Sequence, residues 1–257
     1  MPRFILALVG LLLLLPTLLA QTEFQGQINY LEIRTIVLPD DLPEEAKEAM
    51  AAHFGEGGMQ DRATLSFDAN QSLYRPAIAP EETTEENGTT TIVIRRIGQD
   101  QQYYTNWKEG KIVYANNILD QGFLIEDDWE TIDWQLDETT PMSMDYQLPA
   151  RRATATTPSG EELIAWYTSA VPLPIGPRNY GGLPGAIVHL EMTDGEDKTT
   201  YRLESIELAE EAPEITIPTE GRKTDMATFR KQREERLNRD GGRIMIRRDF
   251  STDDGGF

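Results

Sequence analysis

The sequence predicts a mainly β protein: a strongly curved antiparallel meander, a half-barrel or open barrel of about eleven strands with two short helices. Three observations predict it. Apolar and polar residues alternate through many short stretches. Turn residues recur between those stretches at close spacing. Strands and helices do not alternate along the chain, as a doubly wound parallel sheet would require.

The elements follow in order. Met1-Pro2-Arg3, an apolar run over 4–15, Pro16 and Leu18-Leu19-Ala20 form a cleavable export signal over residues 1–20. The run ends short of the roughly 20 residues a membrane span needs, which makes an uncleaved anchor the lesser alternative. Residues 24–38 alternate as a strand. Pro39-Asp40-Asp41 stops it, and Asp41 caps a first helix over 42–54. Strands at 63–67 and 72–78 flank Asp68-Ala69-Asn70-Gln71 as a hairpin. Residues 79–90 are an acidic loop without apolar anchors. Strands are expected at 91–97, 102–107, 111–116, 123–126, 133–137, 144–155, 162–169, 186–193 and 199–209. Asp194-Gly195-Glu196-Asp197 marks a tight turn. A second helix spans 225–238, with Met226, Phe229, Arg233 and Leu237 near one face. The closing Asp253-Asp254-Gly255-Gly256-Phe257 is expected to fray. The expected organisation is therefore a signal (1–20), a β-rich domain (21–221) and a basic helix and tail packed on that domain (222–257).

Composition narrows the function. The chain has 44 acidic and 24 basic residues, a net charge of −20. That field repels nucleic acid and anionic lipid, so neither is expected as a partner, and no stable membrane insertion is expected after cleavage. From Arg222 onward ten basic residues face seven acidic ones, and this basic tail most simply neutralises the acidic body. With no cysteine, thiol chemistry and Cys-metal sites are excluded, and His53 and His189 lie far apart. No metal site and no cofactor are expected.

The most unusual stretch is 160–191. Val171-Pro172-Leu173-Pro174-Ile175-Gly176-Pro177 carries three prolines in six residues, which stiffen it. Tyr180-Gly181-Gly182-Leu183-Pro184-Gly185-Ala186 supplies glycines for a tight reversal. The stretch reads as a shaped loop between two strands, pinned to the core by Leu183 with Trp166 and Tyr167. Gly176, Pro177, Gly182, Pro184 and Gly185 are its structural residues. Trp166, Tyr167, Arg178, Tyr180 and Leu183 are the candidate binding residues, and pure architecture is the competing explanation.

In these residues, and in Trp134-Gln135-Leu136 and Ala153, the chain resembles the GLPGLI family, secreted proteins of one group of Gram-negative bacteria. The resemblance spans about 60 residues, with looser agreement at 26–30 and through the last helix. It departs at Ala186, where a larger aliphatic is usual, at Leu148, near a frequent cysteine, and at Pro141-Met142, in place of a more basic segment. It implies export and a β-rich fold similar to half-barrel carriers, and it implies no activity.

Three functions are expected in descending order. The first is a non-catalytic binding or scaffold protein of the periplasm or cell surface, with an envelope or outer-membrane protein as partner. The second is a carrier holding an apolar ligand in a curved-sheet cavity. The third is a hydrolase using paired carboxylates among Glu126, Asp127, Asp128, Glu130, Asp133 and Asp137, which flank Trp129 and Trp134. In so acidic a chain, a solvated face explains those carboxylates more simply.

Overall fold

The computed structural model describes residues 24–35, 58–77, 101–118, 121–143 and 148–239. In chain order their strands are β1 (Gly26–Thr35), β2 (Met59–Phe67), β3 (Gln71–Pro76), β4 (Gln102–Asn106), β5 (Lys111–Ile118) and β6 (Gln121–Asp128). There follow β7 (Gln135–Leu136), β8 (Arg151–Thr156), β9 (Glu162–Thr168), β10 (Ala186–Asp194), β11 (Asp197–Leu208) and β12 (Arg222–Thr224). One helix, α1 (Met226–Arg239), follows. Of the expected features, the first helix, the acidic loop, the strand at 91–97, residues 144–147 of another strand, the export signal and the fraying of 253–257 fall outside the described residues.

All twelve strands share one sheet in the order β12-β6-β5-β4-β3-β2-β1-β11-β10-β9-β8-β7. The expected single run of neighbours is corrected on two points. The chain makes two meanders, β1 to β6 and β7 to β11, joined where β1 pairs antiparallel with β11. And β12, absent from the sequence expectation, pairs parallel with β6, which makes the sheet mixed. Three residues of a charged segment carry no alternation signal; the edge of β6 recruits them.

Curvature follows from chain length. β6 and β7 lie ten strand positions apart, about 48 Å if the sheet were flat. Only residues 129–134 connect them, and the chain from Asp128 to Gln135 reaches about 24 Å at most. The sheet therefore curls until its two ends approach. It does not close, since β7 pairs only with β8 and β6 with β5 and β12.

The concave face carries the largest buried side chains. Tyr30, Leu65, Phe67, Tyr74, Phe123 and Tyr201 are each at most 2% exposed. Cross-strand register places Tyr74, Tyr103 and Tyr114 opposite one another on β3, β4 and β5. Their rings form a ladder, with centroids 6.2 and 4.3 Å apart. Phe229 of α1 meets Tyr114 and Phe123 edge-on at 5.7 and 5.5 Å, closing one end of the row. Asp225 caps α1 by accepting the Thr228 backbone N–H at 2.7 Å. Edge-to-face pairs add about 1 kcal/mol beyond burial. Phe229→Leu is therefore expected to lower stability by about that much in urea unfolding, and to speed proteolysis within α1 before the sheet is cut.

Candidate functional site

The proline- and glycine-rich segment between β9 and β10 folds into the curl of the sheet. Its backbone runs along β10: Ala186 donates to Val171 at 2.9 Å and Ile187 to Ile175 at 2.9 Å. A bulge in the β9–β10 register between Ile187 and His189 frees the Ile187 carbonyl, which accepts the Tyr30 hydroxyl at 2.6 Å. From the other side, Trp134 in the β6–β7 connection donates its indole N–H to the Gly181 carbonyl at 2.8 Å. The connection and the loop thus meet in the gap that the sheet leaves open.

The glycines act chiefly through missing side chains. A Cβ at Gly176 would stand 2.1 Å from the Tyr180 carbonyl oxygen, at Gly181 2.4 Å from that of Pro174, and at Gly185 2.2 Å from that of Thr168. Of the loop glycines only Gly182 uses positive φ, at 92°. Arg178, one of the candidate residues, stands in left-handed backbone at φ 52°, a conformation the sequence did not signal; it is the sole non-glycine so placed among the described residues. A non-glycine there costs about 1–2 kcal/mol and needs firm surroundings to hold it.

Those surroundings are a polar cluster inside the curl. Arg178 donates to Glu32 of β1 at 2.6 Å. Its guanidinium lies over the rings of Tyr103 and Tyr201, 5.7 and 5.5 Å from their centroids. Glu32, 4% exposed, also accepts from Arg34 at 2.8 Å and from the Tyr74 hydroxyl at 3.2 Å. Arg34 in turn stands 3.6 Å from Asp61. Register explains the grouping, because Glu32 is opposite Tyr201 on β11 and Asp61 on β2. Burial alone would raise the Glu32 carboxyl, but the two guanidiniums outweigh it and hold it below its usual range. Burial pushes the phenols of Tyr30, Tyr74, Tyr180 and Tyr201 upward, so they stay neutral donors. The Tyr201 hydroxyl is fully buried and finds no hydrogen-bond partner among the described residues. A buried unpaired hydroxyl costs about 1–3 kcal/mol.

The sequence-predicted residues separate. Arg178 and Tyr180 join the cluster, half-buried rather than on an outer surface. Tyr180 also donates to the Met192 sulfur at 2.8 Å. Tyr167 and Leu183, 6% and 1% exposed, belong to the core and offer no contact surface. Trp166 points to the opposite face of β9, between Arg152 and His189. Pro177 is buried and accepts the Tyr180 backbone N–H at 3.0 Å, while Pro184 is exposed. Sequence reasoning missed Glu32, Tyr74, Tyr103 and Tyr201; the lone inward acid of an otherwise apolar β1 row was the available signal.

Four of the six carboxylates near the two tryptophans, Glu126, Asp127, Asp128 and Asp137, have structural partners. Asp128 pairs with Lys111, and Glu126 with Lys223 at 2.7 Å. Asp127 accepts the Met226 backbone N–H at the start of α1 at 3.4 Å. Asp137 accepts from Thr139 and Thr140 and pairs with Arg152 at 3.1 Å. The two threonines hold its carboxyl far below the usual range.

Glu32 makes acid stability testable. Its folded pKa is depressed, so its contribution is complete above the unfolded value of about 4.3 and is lost as pH falls through the folded value. The melting midpoint of the wild-type chain is expected to drop below about pH 4.3 more steeply than that of Glu32→Gln, followed by circular dichroism.

Residues 125–189 match a family model described as "Protein of unknown function (Porph_ging)", about a quarter of the chain. The match contains the Trp134-to-Ile187 pattern. No curated protein matches. Several solved structures resemble the chain, two of them as follows. One is titled "Structure of PNGF-II in P21 space group", with 10% identity and a TM-score of 0.47 over 82% of this chain. The chain spans only 33% of that protein's length. The other is an uncharacterized conserved protein from Thermus thermophilus, with 6% identity and a TM-score of 0.36, covering 80% of this chain and 91% of that one. No helix among the described residues is long and apolar enough to cross a membrane.

Proposed function

We propose that this chain is an exported, GLPGLI-type protein of the bacterial cell envelope that works as a non-catalytic binding or scaffold module. The observation that carries this reading is the use to which its interior polar chemistry is put. Glu32 receives three donors, from Arg34, Arg178 and Tyr74, and Arg178 is clamped between it and two tyrosine rings. Such a cluster braces a loop. Proton transfer needs a group poised to change charge near working pH, and the acids beside Trp129 and Trp134 that have described partners serve as ion pairs and turn caps.

An apolar carrier draws less support. Tyr30, Leu65, Phe67, Tyr74 and Phe123 at 0–2% exposure belong to the packed core rather than to an open apolar trough. The signal-like pattern over residues 1–20 supports an envelope location.

Cell fractionation with in vivo crosslinking tests the reading. The mature chain, beginning at or near Gln21, is expected in the envelope fraction and crosslinked to an envelope protein. Retention in the cytosol with residues 1–20 intact would overturn the location. Turnover of any glycan or peptide that is abolished by Asp137→Asn would overturn the non-catalytic role.

A further inference from the structure

We propose that the open edge of the Arg178 guanidinium and the Tyr201 hydroxyl together bind a carboxylate group brought by a ligand. The proposal rests on the reading of the chain as a binding protein and names the ligand chemistry of its interior cluster.

Three features converge. Arg178 has five N–H donors, but among the described residues its guanidinium makes a single hydrogen bond, to Glu32, and its side chain is 19% exposed. The remaining donors therefore face an opening. The guanidinium carbon lies 5.5 Å from the centroid of the Tyr201 ring, whose buried hydroxyl no described residue satisfies. And the guanidinium plane is set in advance: Glu32 holds one nitrogen, the rings of Tyr103 and Tyr201 flank the group, and the backbone is kept at φ 52°. Backbone held in a sparsely populated region marks places where a side chain is presented for a purpose.

The chemistry of the ligand follows. Both groups present donors, so the ligand must bring acceptors. A planar fork of N–H groups fits the two oxygens of a carboxylate. Local charge adds no repulsion, because Arg178 and Arg34 are balanced by Glu32 and Asp61. The net charge of −20 repels free anions at a distance, so affinity for a small acid is weak and rises with ionic strength as the long-range field is screened.

The test uses the mature chain with 15N-labelled arginine, following the Arg178 Nε–H resonance, which is identified by its loss in Arg178→Lys. Sodium acetate is titrated against sodium chloride at matched ionic strength and neutral pH. Acetate is expected to shift the resonance saturably and chloride to leave it in place. Tyr201→Phe, which removes only the hydroxyl, is expected to weaken acetate binding about tenfold without lowering the melting midpoint. Three results would overturn the proposal: acetate and chloride acting alike, no saturation, or unchanged acetate affinity in Tyr201→Phe. A lower midpoint for Tyr201→Phe would also overturn it, since the hydroxyl would then be held by a resident water. A chain that captures its envelope partner yet ignores acetate loses this subsite alone. One that binds acetate and captures no partner loses the envelope-partner reading instead.

Discussion

Replacing Glu32 with Gln is expected to lower unfolding free energy by about 3 kcal/mol, a large share of the 5–15 kcal/mol typical of a folded domain. The change removes the one negative charge shared by Arg178 and Arg34 and weakens the acceptor for Tyr74. Breaking a buried pair costs about 3–5 kcal/mol because it strands the other charge. The lower end applies here, since the Arg178 and Arg34 side chains keep 19% and 25% exposure and regain some hydration. Arg178→Met is expected to cost less, about 1–2 kcal/mol, because Glu32 retains Arg34 and Tyr74. The double variant should cost less than the sum of the two, and urea unfolding of all four chains gives the coupling directly. Strict additivity would show that the pair contributes nothing beyond its separate contacts.

Gly185→Ala is expected to be as severe, about 3 kcal/mol or more, because overpacking against backbone leaves no rotamer to relieve it. The added methyl would sit 2.2 Å from the Thr168 carbonyl oxygen and 2.8 Å from its carbon, at the end of β9. Relief requires moving β9 away from β10, which disturbs the antiparallel pair that carries the loop. Gly182→Ala provides the contrast. Its Cβ would meet nothing nearer than Trp134 at 4.0 Å, and its cost is the positive φ of 92°, about 1–2 kcal/mol. Chemical denaturation should therefore rank Gly185→Ala well above Gly182→Ala. The reverse order would mean that backbone conformation, rather than close approach, selects glycine throughout the loop.

That contrast separates what was legible from what was not. Alternation located β1, β4, β5, β9, β10 and β11 to within a few residues, because period-two patterning is a local property of a strand with one face in the core. The hairpin at Asp68 was equally legible: its carboxylate accepts the backbone N–H groups of Asn70 and Gln71, as a turn-forming aspartate does. The expected strand over 133–137 shrinks to Gln135–Leu136: Asp137 still donates its N–H to Arg152 at 3.0 Å, but its carboxylate accepts the N–H groups of Thr139 and Thr140 and the chain turns there. β12 stayed invisible because parallel pairing with β6 depends on a neighbour about a hundred residues away.

The same division runs through the site. Residue order was enough to establish that a stiff loop rich in proline and glycine joins two strands, since those residues restrict or free the backbone wherever they stand. It was also enough for the excess of negative charge and the absence of thiols. The folded arrangement was needed to turn the loop inward, to bring Arg178 to a glutamate 146 residues earlier, and to give three glycines their role in close approach. The reason is physical. Strand periodicity and turn preference reside in neighbouring residues, whereas charge pairing and steric clearance are set by the curl that brings the two meanders face to face.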